Sequence, residues 1–407
     1  MATPRAFDVI VVGGGIAGSI LAGVLARSGL GVLVLEKEEQ FRDRVRGEST
    51  WPYTVADALA MGLQPLLDDA GTVEISGVRR YANREAASPY RWAEDSIDQL
   101  PELGFYHPRF QEAAVMWAES QSATTVRPAK AIKFSCNGRP SVKVAAEGQE
   151  TSYEARLVVG ADGKHSMARQ WTGGESARDA EHHRFGGVLI SGLRTDDRDT
   201  DNIGKVGIEA INWFAAGADH TRLYLQMTAS RLREIGADRS FDAIVAFAAQ
   251  VMPEGALDGV QREGPIGFFP NSDTWATRIA GNDVVLVGDA AGAPDPSQGH
   301  GTALLFHDVR NLSELLLSDE NWKTAAEEFA ARRCAYFAAV LAYDRWENLL
   351  AETGENADWL REGHERAKEE DPTLGGFSLI EARGPDGLVA DEAARCHYFG
   401  EDLPPFN

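Results

Sequence analysis

The run VIVVGGGIAGS at residues 9 to 19 constrains this chain more than any other stretch. Its opening residues, Asp8 to Val12, read as a strand, and an unbroken apolar run of this kind suits a parallel sheet covered on both faces. Glycines follow at 13, 15 and 18, and Ile16, Ile20, Leu21, Val24 and Leu25 recur at helical spacing until Gly29 closes the helix. A second apolar strand, Val32 to Leu35, ends on Glu36. Each glycine has its own physical task. Gly13 makes the tight turn, Gly15 lets backbone amides approach a pyrophosphate at the helix N-terminus, and Gly18 lets helix and strand pack closely. Glu36 stands where a carboxylate can hold a pair of ribose hydroxyls. The pattern is a βαβ dinucleotide site, and by itself it does not separate FAD from NAD.

Two later segments narrow that choice. VVGADGKHSMAR spans residues 158 to 169, and VVLVGDAAGAPDPSQGHG spans 284 to 301. In the second, an apolar strand from Asp283 to Val287 delivers Gly288 and Asp289 to a loop. Gly299, His300 and Gly301 then open a helix whose buried side carries Leu304, Leu305, Val309, Leu312 and Leu316. A carboxylate at a strand end suits a ribityl hydroxyl, and the amides of the new helix face an anion. That combination favours FAD. The order of GxGxxG, an Asp-Gly motif with downstream Ser166 and Arg169, and a Gly-Asp motif with Pro296 and a glycine-flanked turn resembles the single-component aromatic hydroxylases typified by para-hydroxybenzoate hydroxylase. The resemblance covers roughly residues 7 to 320.

It implies an α/β fold: a discontinuous Rossmann-like FAD-binding domain of the glutathione-reductase type, an inserted antiparallel-sheet substrate domain and a C-terminal helical region. The spread of the motifs gives the boundaries. Residues 1–74, 104–180 and 277–320 form the FAD-binding domain, 75–103 and 181–276 the substrate domain, and 321–407 the C-terminal region. Alternation in FGGVLISGL, KVGIEAINWFAAG and HTRLYLQMT predicts antiparallel strands, with a helix near 240 to 252. Residues 322 to 351 have no glycine or proline and predict a long helix, with a second over about 355 to 370. Beyond Pro372, the apolar residues Phe377, Leu379, Ile380, Tyr398 and Phe399 favour a packed cover or a homodimer contact over disorder.

The resemblance also assigns residues. Besides Gly13, Gly15, Gly18 and Glu36, it adds Ile16, Ala17, Lys37 and Ile132 to the cofactor contacts, with Arg46 of the RGEST run near the phosphates or flavin. At HPRFQ, residues 107 to 111, the family's usual arginine is replaced by His107; Arg109 takes its place, or Gln111 supplies the ribityl contact. Asp162, Gly163 and Arg169 are tied to FAD and to transient nicotinamide binding, although Gly160 and Gly163 also suit a plain tight strand exit. Asp289, Pro296, Gly299, His300, Gly301 and Thr302 are expected beside the isoalloxazine. His300 is a candidate acid or base because imidazole titrates near neutrality. The alternative is that backbone geometry alone matters there, since glutamine commonly holds this place in the family. In the expected roof, Trp213, Arg222, Tyr224 and Gln226 are candidate substrate contacts. Alternation puts Arg222, Tyr224 and Gln226 on one face, which lines a pocket or meets solvent.

Hydroxylases of this kind reduce FAD with NADPH or NADH, form a flavin hydroperoxide with O2 and transfer oxygen to an aromatic or polyketide-like small molecule. No second GxGxxG occurs, so the nicotinamide is expected to dock and leave. An FADH2-dependent two-component halogenase shares the RGEST-like segment and needs a separate flavin reductase. It also needs a lysine, and this chain has none between Lys37 and Lys130 and no Trp-x-Trp among its 9 tryptophans. An isoprenoid reductase or cyclase of the same fold is a further alternative. A net charge of −22 without a basic run argues against nucleic-acid and anionic-membrane partners. The 3 cysteines are far apart and the histidines lack ligand spacing, so no metal is expected. Glycines, Arg27 and Ser28 inside the apolar run from Val9 to Leu35 argue against an export signal or a membrane span, and a cytoplasmic location follows.

Overall fold

A computed structural model describes residues 5–95, 99–181, 183–195, 198–351, 355–374 and 380–401. At its centre is a six-stranded sheet in the order Thr124–Val126, Val32–Leu35, Val9–Val12, Leu157–Gly160, Val284–Leu286 and Ala280–Gly281. All neighbours run parallel except the last pair, with Val11 opposite both Val34 and Val159, and Val159 opposite Val285. Parallel strands are covered on both faces, which is why they read as unbroken apolar runs. On one face, helices Ile16–Arg27, His107–Ser120 and His300–Ser318 pack Ile20, Leu21, Trp117 and Phe306 against Val9, Val11 and Val159. On the other, the antiparallel strands Ala129–Asn137 and Arg139–Ala146 bring Ala131, Val142 and Val144 onto Ile10, Leu33 and Val158. The strand expected over Asp283 to Val287 is shorter, Val284–Leu286, because Asn282 and Asp283 both take left-handed turn conformations at φ 55°.

A nine-stranded sheet forms a second layer. Its middle is the antiparallel set Arg184–Ser191, Thr221–Met227, Glu209–Ala215 and Thr200–Val206. The early segment Gly77–Ala82 joins it in parallel beside Thr200–Val206. Helices Ala229–Ile235 and Phe241–Ala248 cover one face, on which Ile211, Trp213, Leu223 and Leu225 meet Phe247 and Val251. The second helix is the one expected near 240 to 252. The first went unread, although Thr228 caps it by accepting from the Arg231 amide and Gly236, at φ 71°, ends it. The other face carries Phe185, Phe214 and Tyr224 and packs on Val45 and Ile75.

The C-terminal region is the helix Trp322–Ala351 followed by Glu355–Glu370, Ile380–Arg383 and Glu392–Tyr398. Ile380, Tyr398 and Phe399 are buried, the last two against Trp346; Phe377 and Leu379 lie outside the described residues. Among the described residues no helix is long and apolar enough to cross a membrane, and none cluster with metal-ligand geometry.

Candidate cofactor and substrate site

Close contacts between glycines and distant segments draw the motifs together. Gly13, at φ 105°, turns so tightly that a Cβ there would strike the Ala161 carbonyl of the Asp-Gly segment, and one on Gly18 would strike the Gly13 carbonyl. A Cβ on Gly288, at φ 58°, would stand 3.4 Å from the Cβ of Ala17, so the Gly-Asp motif sits on the first fingerprint. A Cβ on Gly47 would stand 3.3 Å from Thr302 Oγ1, so the RGEST loop meets the start of helix His300–Ser318. These approaches are packing requirements. Gly15, Gly163 and Gly301 are different: a Cβ on Gly15 would meet only Gln111 Nε2 at 3.8 Å, and nothing lies within 4 Å at the other two. Gly15 is also the N-cap of helix Ile16–Arg27 and offers no side-chain cap, leaving the first amides open to an anion.

The polar groups around these openings fit a bound FAD. Glu36 is buried, its carboxylate accepting from the Gly14 and Glu38 amides at 2.7 Å each, so it is oriented at the strand end. Asp162 accepts from the Met167 amide at 2.7 Å, while its Oδ1 is buried and finds no partner among the described residues. Asp289 is half-buried, and burial pushes its carboxyl above the usual range against the pull of Arg46, Lys164, Arg169 and Arg333. Arg46 and Gly47 are exposed. Cations and open helix starts suit a pyrophosphate, and the unpaired carboxylate oxygen suits a hydroxyl. Gly15, Ile16, Ala17, Glu36, Asp162, Gly163, Asp289, Gly301 and Thr302 would hold the cofactor, with Gly13 and Gly18 shaping the turn beneath it, and FAD would supply redox chemistry at the isoalloxazine end.

Other expected contacts stand differently. Lys37 is exposed, and Ile132 is half-buried at a register shift between Ala131 and Lys133. Pro296 opens a short turn whose cap, Asp295, accepts from the Ser297 amide at 2.8 Å, and a Cβ on Gly299, at φ 73°, would stand 3.4 Å from Trp51 Nε1. Arg109 is corrected. Its guanidinium turns to Gly71 and donates to the Asp69 carbonyl at 3.2 Å, because residues two apart on a helix point in different directions; Gln111 is the one that faces Gly15. Arg169 is corrected as a nicotinamide contact. It is 3% exposed and donates to the Ala290 carbonyl at 2.7 Å, the Asp289 carbonyl at 2.5 Å and Ser176 Oγ at 2.9 Å, bracing the Gly-Asp loop from behind.

In the roof, Arg222 and Tyr224 share the face turned to the RGEST loop, as alternation requires, and Gln226 follows them half-buried. Arg222 donates to Glu48 Oε2 at 2.6 Å, to Glu48 Oε1 at 2.9 Å and to Asp43 at 3.0 Å; its Nη1 is buried without a partner among the described residues. Burial pushes the Glu48 carboxyl above its usual range, against the pull of Arg222 at the two-point contact. Tyr224 donates to the Arg46 carbonyl, and burial raises its phenol, so it stays protonated. His107 donates from Nδ1 to the Gly47 carbonyl at 2.9 Å, and burial lowers it to about 4, leaving a neutral ring. Trp213 is corrected as a substrate contact: one residue from Phe214 on a strand, it faces helix Phe241–Ala248 instead. Sequence reasoning missed Asp43 and Glu48 as partners of Arg222. It also missed Asp344, whose Oδ1 lies 3.2 Å from Nε2 of the buried His300.

This fold and site define an FAD-binding flavoprotein, and the family model for an FAD binding domain matches residues 6–328. The chain belongs to that family. It is similar to mouse squalene monooxygenase, at 23% identity over 85% of this chain and 61% of the mouse protein, so the chain spans about three-fifths of that relative. Several solved structures share the fold. A triple mutant of the flavin-dependent brominase Bmp2 aligns with TM-score 0.74 and 16% identity over 96% of this chain and 97% of its own. PqsL of P. aeruginosa, solved with 2-aminobenzoylacetate, aligns with TM-score 0.69 and 19% identity over 85% of this chain and 96% of its own.

Proposed function

We propose that the chain is an FAD-dependent monooxygenase that takes electrons from NADPH or NADH and uses O2 to hydroxylate an aromatic or polyketide-like small molecule. The observation that carries this reading is the tie between the RGEST loop and the roof. Arg222 grips Glu48, and Tyr224 grips the Arg46 carbonyl, directly over the start of helix His300–Ser318. Oxygen chemistry on reduced FAD requires a site closed to water, and these two contacts hold the roof against the cofactor loop. Arg222 Nη1 is left to donate to a phenolate or carboxylate, with Phe185 and Phe214 beside Tyr224 to pack a ring. PqsL, with its aromatic keto acid, supports a small aromatic ligand in such a fold. Residues 1–74, 104–180 and 277–320 are read as the FAD-binding unit and 75–103 with 181–276 as the substrate unit; a cytoplasmic location belongs to the same reading, and the acidic balance weighs against nucleic-acid partners.

The specific rival is a two-component halogenase fed by a separate reductase, favoured by the brominase alignment over almost the whole chain, including the C-terminal helices. The missing lysine between Lys37 and Lys130 weighs against it. Oxygen uptake by purified protein with NADPH or NADH and a panel of phenols separates the two. Uptake stimulated by one phenol supports the monooxygenase. A flavin that stays oxidised with either nicotinamide and every phenol, yet is reduced by a separate flavin reductase, overturns it.

A further inference from the structure

The C-terminal region brings carboxylates to the back of the turn that opens helix His300–Ser318. His300 is 1% exposed, with Nε2 3.2 Å from Asp344 Oδ1 and 4.0 Å from Glu381 Oε1, and its ring lies 6.2 Å from that of Trp51. Three buried polar atoms here find no partner among the described residues: His300 Nδ1, Asp344 Oδ2 and the Tyr53 hydroxyl. Buried polar atoms are rarely left so, and internal water is the usual remedy where room exists. A cavity of about 20 Å³ adjoins Asp344, and Glu347, Glu381 and Tyr398 also line it. That is room for about one water molecule. Tyr398 donates to Glu347, which is exposed. The cavity thus joins Asp344, the partner of His300, to the exposed Glu347.

We propose that His300, Asp344, a water in this cavity and Glu347 form a proton path between the cofactor-side helix start and solvent, with Glu381 helping Asp344 to position His300. The inference rests on the reading that FAD lies at that helix start. A proton enters on the Glu347 carboxylate, crosses through the water to Asp344 and settles on His300 Nε2. No electrons move through these residues; those come from the nicotinamide. The imidazolium so formed compensates the negative charge that reduction places beside the helix start. The electrostatics agree with the geometry. Burial works against the charged ring, but Asp344 and then Glu381 outweigh it and raise His300 above its ordinary value. Burial pushes Glu381 up to about 7 against the pull of His300, with Glu347 and Asp344 adding to the rise.

Two measurements on the FAD-loaded protein test the path. Ring nuclear magnetic resonance, with the signal assigned by its loss in His300→Gln, is expected to show titration above that of an ordinary histidine. It should fall by about one pH unit, a tenfold loss of proton affinity, in Asp344→Asn and return in Asp344→Glu. Should Asp344→Asn not fold, Glu381→Gln must lower the same signal by a smaller step. An unmoved titration overturns the positioning role. The midpoint potential of the flavin, followed against pH, should bend where His300 titrates, bend elsewhere in Asp344→Asn and lose the bend in His300→Gln. Identical profiles in all three overturn the link to the cofactor. Failure to bind flavin at all would overturn the proposed function and that link, while the ring titration would still report on Asp344.

Discussion

Arg222 and Glu48 are 174 residues apart in the chain and meet in a two-point ion pair, 2.6 and 2.9 Å long, with both side chains fully buried. One belongs to the roof and the other to the RGEST loop, so this pair carries the attachment of one layer to the other. Breaking a buried pair from one side leaves a charge without a partner, at a cost of about 3–5 kcal/mol. Arg222→Ala strands both Glu48 and Asp43 and should lower the unfolding free energy from urea titration by that order. Tyr224→Phe loses only the hydrogen bond to the Arg46 carbonyl and should cost about 1 kcal/mol. Equal losses in the two variants would show that the pair does not join the layers as described.

Gly15 and Gly18 look alike in the motif and should fail differently. A Cβ on Gly18 collides with backbone, so Gly18→Ala should reduce the yield of folded protein. Gly15 has only a side-chain amide 3.8 Å away, so Gly15→Val should fold and lose its flavin. The ratio of flavin to protein absorbance, read beside a thermal melt, separates the outcomes. Normal flavin content in Gly15→Val would remove that residue from the cofactor site.

Asp289→Ala should weaken FAD retention about tenfold to a hundredfold, the worth of a charge-assisted hydrogen bond to a ribityl hydroxyl. The control, at the turn just before the strand that leads to Asp289, is Asp283→Asn rather than alanine, because Asp283 has φ 55° and asparagine tolerates that conformation. Dissociation constants from fluorescence recovery on FAD release would decide; indistinguishable values refute the contact.

Arg169 braces the Gly-Asp loop through three acceptors on separate residues. A lysine cannot reproduce that planar spread. Arg169→Lys and Arg169→Ala should therefore lose stability and FAD together, with little difference between them. An arginine acting on the nicotinamide would instead slow anaerobic flavin reduction at unchanged melting temperature and flavin content.

His307 carries the clearest pH dependence. Burial lowers its proton affinity, but hydrogen bonds from Nε2 to Asp386 and from Nδ1 to Asp57, 3.0 Å each, outweigh that and lift it to about 9. A histidine raised on folding stabilises fully below its unfolded value near 6.5, and the contribution drains away as pH climbs through about 9. Its size is on the order of 2–3 kcal/mol, trimmed because Asp386 is largely exposed. Unfolding free energy should fall between pH 6.5 and 9 in the wild type, and His307→Gln should flatten that slope.

Local pattern by itself settled the strands and helices that make the site. The run from Val9 to Val12, the glycines at 13 and 18 and the switch to helical spacing describe backbone geometry within a few residues, and backbone geometry is what short-range sequence encodes. Strand alternation likewise put Arg222 and Tyr224 on one face. It equally separates Trp213 from Phe214, a consequence that choosing aromatics by type overlooked.

Which partner each side chain meets was decided only by the tertiary structure. Within HPRFQ, the tilt of helix His107–Ser120 on the fingerprint sends Gln111 to Gly15 and Arg109 to Gly71. Arg169 and His300 belong to motifs whose spacing marks them as cofactor neighbours, yet their side chains are claimed by Asp289 and Ala290 in one case and Asp344 in the other. Those partners lie on segments far along the chain. Contacts of that range depend on how whole layers settle against one another, and the energy of a buried charge depends on every group brought around it. A motif records where the backbone turns; it holds no record of what the fold later packs behind it.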